Sequence, residues 1–384
     1  MQRRELFSKS AAIMVSTCLP GVVSASASTP KTKPPTQLSS RSVTLFGDTA
    51  PLSPLEQIAY LHEAASDINN PEDLYLKNGA VSALEKQIAD LFGKTDAVFF
   101  PTGTMANNVA VRLLADEQRL VLTQQDSHLY ADESDAAQIL SGLNLVPMAP
   151  GLVNPSPESV RLEIESWKNR PYPVAVGAIS LESPVRRHNG AYIPFKDLEQ
   201  ISSIAGEQKI GMHWDGSRSL LLYGIDNFNL QKTASLFDTI MVSLDKYLGA
   251  PTGAMLIGER TNMEKARHLR HLFGGLLHGG WQLALPPLIN LPKFQENYLK
   301  AQIRAKEVVQ LLCNSEGFTL KPINNGSNIL PIQISEARLQ GLKERLTAAD
   351  IYARISDDGK MDFYTNLSIL RRPPAEIARA FLIK

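Results

Sequence analysis

The run Ser243-Leu244-Asp245-Lys246-Tyr247-Leu248-Gly249-Ala250-Pro251-Thr252-Gly253 sets a lysine just beyond a short apolar strand, in a turn broken by glycine and proline. At a strand end, where open α/β sheets bind ligands, partial desolvation depresses a lysine's pKa and frees its amine as a nucleophile. Upstream, Gly211-Met212-His213-Trp214-Asp215-Gly216-Ser217-Arg218 is a second apolar stretch that ends in an acid, a glycine and an arginine. Earlier still, the strand Ala97–Phe100 passes through Pro101-Thr102-Gly103-Thr104 into an amphipathic run. Free N–H groups and the positive dipole end of a helix opening there form a phosphate cradle, with Gly103 allowing close approach and Thr104 adding a hydroxyl.

Each stretch alone reads as an ordinary strand and turn. Together and in this order they meet the needs of pyridoxal 5'-phosphate (PLP): an amine for its aldehyde, a carboxylate to keep its pyridine nitrogen protonated, and a seat for its phosphate. With these motifs the chain resembles the threonine aldolase branch of the fold-type I PLP enzymes, the aromatic amino acid β-eliminating lyase and threonine aldolase family. The resemblance runs from about Phe46 into the C-terminal region and includes Leu84-Glu85, Phe92-Gly93-Lys94, Ser180-Leu181-Glu182 and Asn189-Gly190 before Pro194. It implies that Lys246 is the Schiff-base lysine, that Asp215 pairs with the pyridine nitrogen, and that Gly103, Thr104 and Ser243 hold the phosphate. His128 matches the family histidine that stacks on the cofactor and acts as a base toward substrate. Arg218 matches an arginine that fixes the substrate carboxylate, and Glu182 an acid near the cofactor on the substrate side.

The departures fall on the substrate side. The family's Arg-Ser-Asp-Thr is here Phe46-Gly47-Asp48-Thr49, so a side-chain hydroxyl is gone. Its Asn-Thr-His-Asn becomes Ser183-Pro184-Val185-Arg186-Arg187-His188, which loses a histidine or displaces it to His188. Its Gly-Gly-Gly-Met-Arg-Gln becomes Gly274-Gly275-Leu276-Leu277-His278-Gly279, and Asp362 stands where a second carboxylate-binding arginine is expected. An acid there repels a carboxylate, and a lost charged hydrogen bond costs about 2–3 kcal/mol. Three consequences stay open: Arg186 or Arg187 supplies the charge, the substrate carries a positive group, or the chain binds PLP without rapid turnover.

The elements that must position these residues follow from the pattern. Ser53-Pro54-Leu55-Glu56 and Ser82-Ala83-Leu84-Glu85 read as capping boxes, the second opening a helix with Leu84, Ile88 and Leu91 on one face and Gly93 as its stop. Apolar runs at 97–100, 119–122, 143–148, 173–181, 210–214 and 239–243 alternate with helical stretches, which argues for a mainly parallel sheet. Ala254–Ile257 follows Gly253 too closely for a crossover helix and reads as an antiparallel addition. Pro286, Pro287 and Pro292 punctuate the approach to a helix near Lys293–Asn314, followed by strands at Ile329–Ile334 and Phe363–Leu367 and a last helix. The expected fold is therefore α/β and fold-type I PLP-transferase-like: a mainly parallel seven-stranded sheet flanked by helices in a PLP-binding large domain, 41–290, and a smaller C-terminal α+β domain, 291–384.

Residues 1–27 read as a twin-arginine-like signal peptide, with Arg3-Arg4, an apolar stretch from Ala11 to Val23 and Ala25-Ser26-Ala27 as cleavage site. Residues 28–40, rich in Thr, Pro, Lys and Ser, read as a linker. The expectation is an exported, periplasmic protein with no stable membrane anchor, in which Cys313 is left without an intrachain disulfide partner. Lys+Arg and Asp+Glu both total 39 in the 384 residues, so no electrostatic footprint for nucleic acid is expected. The 7 His and 2 Cys show no metal-ligand spacing. The expected partner is a small-molecule amino acid, and the family implies a homodimer or homotetramer. The expected activity is carbon-carbon cleavage of a β-hydroxy-α-amino acid, with β-elimination, or PLP binding without efficient turnover, as alternatives.

Overall fold

The computed structural model of the protein describes residues 38–383. The signal at 1–27 and most of the linker at 28–40 lie outside the described residues. The chain enters through β1 (Val43–Thr44) and two helices, α1 (Pro54–Asp67) and α2 (Gly79–Phe92). It then winds β2 (Asp96–Phe100), α3 (Gly103–Ala115), β3 (Leu120–Gln124), the short α4 (His128–Ala131) and α5 (Ala136–Ser141), and β4 (Asn144–Met148). Next come α6 (Pro157–Lys168), β5 (Val176–Glu182), α7 (Phe195–Glu207), β6 (Gly211–Asp215), α8 (Leu230–Ala234), β7 (Thr239–Ser243) and β8 (Ala254–Gly258). Helices α9 (Arg260–Leu272) and α10 (Trp281–Cys313) lead to β9 (Phe318–Leu320), β10 (Ile329–Ile334), α11 (Glu336–Leu339), α12 (Leu342–Ala348), β11 (Ile351–Tyr352), β12 (Lys360–Tyr364) and α13 (Pro374–Leu382).

The central sheet has seven strands in the order β2-β8-β7-β6-β5-β3-β4. β8 runs antiparallel between β2 and β7, and the remaining pairs are parallel. β2, β3, β5, β6 and β7 thus end at one edge of the sheet, the edge where such folds bind ligands. Strands β3, β5, β7 and β8 are buried along their whole length, as sheets covered by helices on both faces require. Trp214, with no exposed surface, packs against Phe237 and Phe92 in the main core.

A second core gathers α10, α12, α13 and the three-stranded sheet β12-β10-β9. Val43 and Leu45 are buried in this core, and β1 pairs in parallel with β11. The first described strand therefore belongs with the C-terminal elements, and α10 runs unbroken through the 290/291 boundary.

Three elements differ from the sequence reading, one of them the strand expected at Phe363–Leu367, which is β12 at Lys360–Tyr364. The helix expected near Lys293–Asn314 is 33 residues long and begins at Trp281, passing through Pro286, Pro287 and Pro292. Each interior proline costs about 3 kcal/mol. Burial of Leu285, Leu291, Phe294 and the two adjacent prolines against the main core opposes that cost. Helix α2 begins at Gly79 rather than at a box on Ser82. Ser82 Oγ instead accepts the Asn78 amide at 2.8 Å, and buried Glu85 accepts the Phe99 amide at 2.9 Å, fastening α2 to β2. The Ser53–Glu56 capping box and the Gly93 stop form as expected.

Candidate active site

Glu182 and Asp215 close β5 and β6 as in-register neighbours, and Ser243 closes β7 beside them. Lys246 follows three residues later and donates to Ser243 Oγ at 2.7 Å. Burial, then the nearby Arg218 guanidinium, holds the Lys246 amine below its ordinary pKa, which favours the neutral nucleophile. The turn around it is held by Leu244 N–H donating to Gly253 O at 3.0 Å. Gly253 has φ +125°, and a Cβ there would lie 2.9 Å from the Phe99 ring, so the glycine lets the lysine turn press against β2.

The turn after β2 ends at Thr102, whose Oγ1 caps α3 by accepting the Met105 amide at 3.2 Å. Among the described residues no acceptor takes the amides of Gly103 and Thr104. They stand at the positive end of a 13-residue helix, at the same sheet edge as Lys246.

Asp215 is buried. Its Oδ2 accepts Asn107 Nδ2 at 2.9 Å and its Oδ1 accepts the Ser217 amide at 3.1 Å. These bonds leave the carboxylate lone pairs for a further donor. Asn107 also donates to Glu133 at 3.0 Å and accepts from His213 Nε2 at 3.1 Å. Burial lowers His213 to about 4, so its imidazole is neutral and Nε2 carries the proton given to Asn107. Glu133 in turn accepts Asn108 Nδ2 at 2.7 Å and meets His128 Nδ1 at 2.8 Å. A continuous network thus links His128 to Asp215. The Glu133 hydrogen bond is the main cause holding His128 above its ordinary pKa, while burial pushes Glu133 up.

Glu182, expected on the substrate side, has both oxygens occupied by backbone amides: His128 at 2.6 Å and Arg186 at 2.8 Å. Burial and the adjacent Asp215 push its pKa up to about 7. It braces the two loops that carry His128 and Arg186. Arg218 donates Nε to Asp48 at 2.8 Å, and Asp48 also accepts Asn328 Nδ2 at 2.9 Å. The terminal nitrogens of Arg218 meet no acceptor among the described residues and are free for a carboxylate. Thr49 donates to Lys246 O at 2.9 Å, so the retained Asp48-Thr49 pair tethers both the arginine and the lysine turn.

The departing residues find other partners. Arg186 and Arg187 each pair with Asp132 at 2.6 Å, and His188 pairs with Asp126 at 2.9 Å. His278 sets its ring edge-on to Tyr75, 5.2 Å away. Asp362 is exposed on β12 and lines a cavity of about 990 Å³ that reaches Arg218 and Asp48. Lys246 and Asp215 are not among the residues lining that cavity.

Sequence reasoning gave no role to Asn107, Glu133, Asp48 or Asn328. Asn107 lies inside the phosphate-turn helix and Glu133 five residues after His128, so both had a local signal. Asn328 had none.

The fit for PLP follows from this donor set: a half-buried amine with lowered pKa, free helix-terminal amides and a buried carboxylate with acceptor capacity meet at one sheet edge. The architecture is that of the fold-type I PLP enzymes, an α/β fold with a mostly parallel central sheet. The chain belongs to the beta-eliminating lyase family, whose sequence model matches residues 58–358. It is 26% identical over 323 residues to the low specificity L-threonine aldolase of Escherichia coli (strain K12), covering 82% of this chain and 92% of that protein. It is also 26% identical over 242 residues to an alanine racemase of Cochliobolus carbonum, covering 62% of this chain and 61% of that one. The solved threonine aldolase of Leishmania major superposes with a TM-score of 0.70 at 19% identity, covering 88% and 97%, a likeness of fold.

Proposed function

We propose that this protein is a PLP-dependent lyase of the threonine aldolase kind, which cleaves the Cα–Cβ bond of a β-hydroxy-α-amino acid to glycine and an aldehyde. The observation that carries this reading is the half-buried Lys246 amine of lowered pKa, three residues past the end of β7 and bonded to Ser243, next to the strand that ends in Asp215. Bound PLP supplies an electron-withdrawing ring that stabilises negative charge left on Cα. Lys246 would provide the amine that links it, the Gly103 and Thr104 amides would hold its phosphate, and Asp215 would keep its ring nitrogen protonated.

Arg218 binds the substrate carboxylate with its free terminal nitrogens, because Asp48 fixes the guanidinium through Nε alone. His128 has Nδ1 committed to Glu133, which leaves Nε2 to take the proton of the β-hydroxyl. β-Elimination draws on the same residues, and only the products separate the two reactions.

The test is absorbance of the purified protein with PLP, for wild type and Lys246→Ala, followed by addition of β-hydroxy-α-amino acids and assay for glycine and aldehyde. A Lys246-dependent visible band with glycine release is expected, and Lys246→Ala should lose activity on the order of 10³-fold or more. A Lys246-dependent band with ammonia and an α-keto acid as products would move the assignment to β-elimination. A band that no amino acid disturbs would mean PLP binding without turnover.

The N-terminal pattern supports export by a twin-arginine route, which carries folded, cofactor-loaded protein. Detection of the mature protein only in the cytoplasm would remove that part. Exposed Leu55 and Ile58 on α1, beside an apolar cavity of about 520 Å³ lined by Pro51, Pro54 and Pro286, support a homodimer or homotetramer. Light scattering that returns a monomer mass would count against it.

A further inference from the structure

The cavity that reaches Arg218 lies at the upper end of the roughly 300–1,000 Å³ typical of small-molecule sites, more room than a four-carbon amino acid needs. Its wall carries Arg186, Arg218, Lys343, Arg354 and Lys360 against two acids, Asp48 and Asp362. Three of these cations are already paired: Arg218 with Asp48, Arg186 with Asp132, and Lys360 with Asp358. Arg354 and Lys343 pair with no carboxylate among the described residues. Arg354 is held over the Phe46 ring, its guanidinium carbon 4.7 Å from the ring centroid. Phe46 lies two residues before Asp48, so one segment fixes both guanidiniums: Arg218 at the inner end of the cavity and Arg354 further out. Asp362 is the one cavity acid with no cation partner. It is exposed and shares a face of β12 with Lys360.

We propose that this cavity receives a second anionic group of the substrate, so that the preferred amino acid ends in a carboxylate or a phosphate, bound by Arg354 and Lys343. The α-carboxylate goes to Arg218. This rests on the lyase reading and narrows its substrate class. Asp362 opposes the bound anion and sets how weakly or tightly it is held. Removing Asp362 therefore strengthens anion binding, the reverse of the effect expected if that acid recognised a cationic side chain.

The test is isothermal titration calorimetry of the PLP-loaded protein with four non-reacting probes: succinate, inorganic phosphate, butyrate and putrescine. Wild type, Arg354→Ala, Lys343→Ala and Asp362→Asn are compared. All three altered side chains are exposed and carry no core packing. Succinate or phosphate should bind more tightly than butyrate, and whichever of the two prevails identifies the anion. Arg354→Ala should weaken that probe by about five- to tenfold and leave butyrate unchanged. Asp362→Asn should tighten it. As a kinetic check, β-hydroxyaspartate should exceed threonine in kcat/KM, with the advantage lost in Arg354→Ala.

Equal effects on succinate and butyrate, or a preference for putrescine that Asp362→Asn abolishes, would overturn the inference. The lyase reading fails separately: absence of a Lys246-dependent PLP band sinks that reading, whereas such a band with no anion preference sinks only the substrate class.

Discussion

The two halves of the site are built in different ways. On the cofactor side, Glu182, Asp215 and Ser243 hang from the ends of buried, in-register strands, and Asp215 is fastened through Asn107 to Glu133 and His213. On the substrate side, Asp48, Arg354 and Asp362 come from three separate stretches around the second core, and two of them are exposed. A buried polar network tolerates little change, because each deleted group leaves a partner unsatisfied in a medium of low dielectric. An exposed rim has water to replace lost partners, so its charges change at small cost to folding. The family's pattern is accordingly kept on the first side and altered on the second.

After loss of the lysine itself, removing the charge at the centre of the buried network should have the largest effect. Asp215→Asn keeps the volume but ends the electrostatic support at the ring nitrogen, and activity should fall on the order of 10²-fold or more. Asp362→Asn, the same change on the other side, should leave kcat with a neutral amino acid nearly unaltered. Equal losses in the two variants would abolish the distinction between the sides.

Asp48 is the exception on the substrate side, since it and Arg218 expose only 4% and 10% of their side chains. Asp48→Asn leaves a buried guanidinium with a weakened acceptor, and unfolding in urea should show a loss of about 2–3 kcal/mol. The Michaelis constant should rise with it, because Arg218 loses its fixed orientation. An unchanged unfolding midpoint would show that Asp48 is dispensable to the fold.

The sheet, its carboxyl edge and the antiparallel β8 were legible because each strand and turn is a local pattern of apolar residues, glycine and proline. The strand ends that precede Lys246 and carry Asp215, and the helix-opening turn at Gly103-Thr104, were legible for the same reason. The links between them were not. The Asp48–Arg218 pair joins residues 170 positions apart, and the Asn107–Asp215 bond spans 108, distances over which no periodicity carries information. Helix α10 was misread because proline is a local stop signal, while the packing that holds Pro286 and Pro287 inside the helix is tertiary. β1 was too short to be seen and is defined by its partner β11.

The next effect concerns pH. His128 faces Glu133, Asp215 and Glu182, all of which raise its pKa, with the Glu133 hydrogen bond the largest cause and burial in opposition. As a base it must be neutral, so activity should fall as pH drops through its raised value. Glu133→Gln removes the main cause and should shift the acid limb of the kcat/KM profile to lower pH. The same raised pKa gives stability that is full below the ordinary histidine value and lost as pH rises through the folded one. The variant should lose that slope. An acid limb that stays in place would assign it to a group other than His128.

The smallest expected effect falls on the tie between the two sides. Thr49 donates to Lys246 O at 2.9 Å and reaches Asp245 O at 3.2 Å, joining the segment that holds Arg218 to the turn that carries the lysine. Thr49 lies in an exposed setting, so Thr49→Val should cost only about 0.5–1 kcal/mol. If the sheet alone positions the lysine, PLP affinity and the position of the Lys246-dependent band should stay as in wild type. The Michaelis constant for the amino acid should rise modestly, because Asp48 sits on the loosened segment. A large fall in PLP affinity would mean that the N-terminal segment is part of the cofactor site. The retention of Asp48 and Thr49 would then reflect cofactor binding, and the boundary between the conserved and altered halves would run between Gly47 and Asp48 rather than between the sheet and the second core.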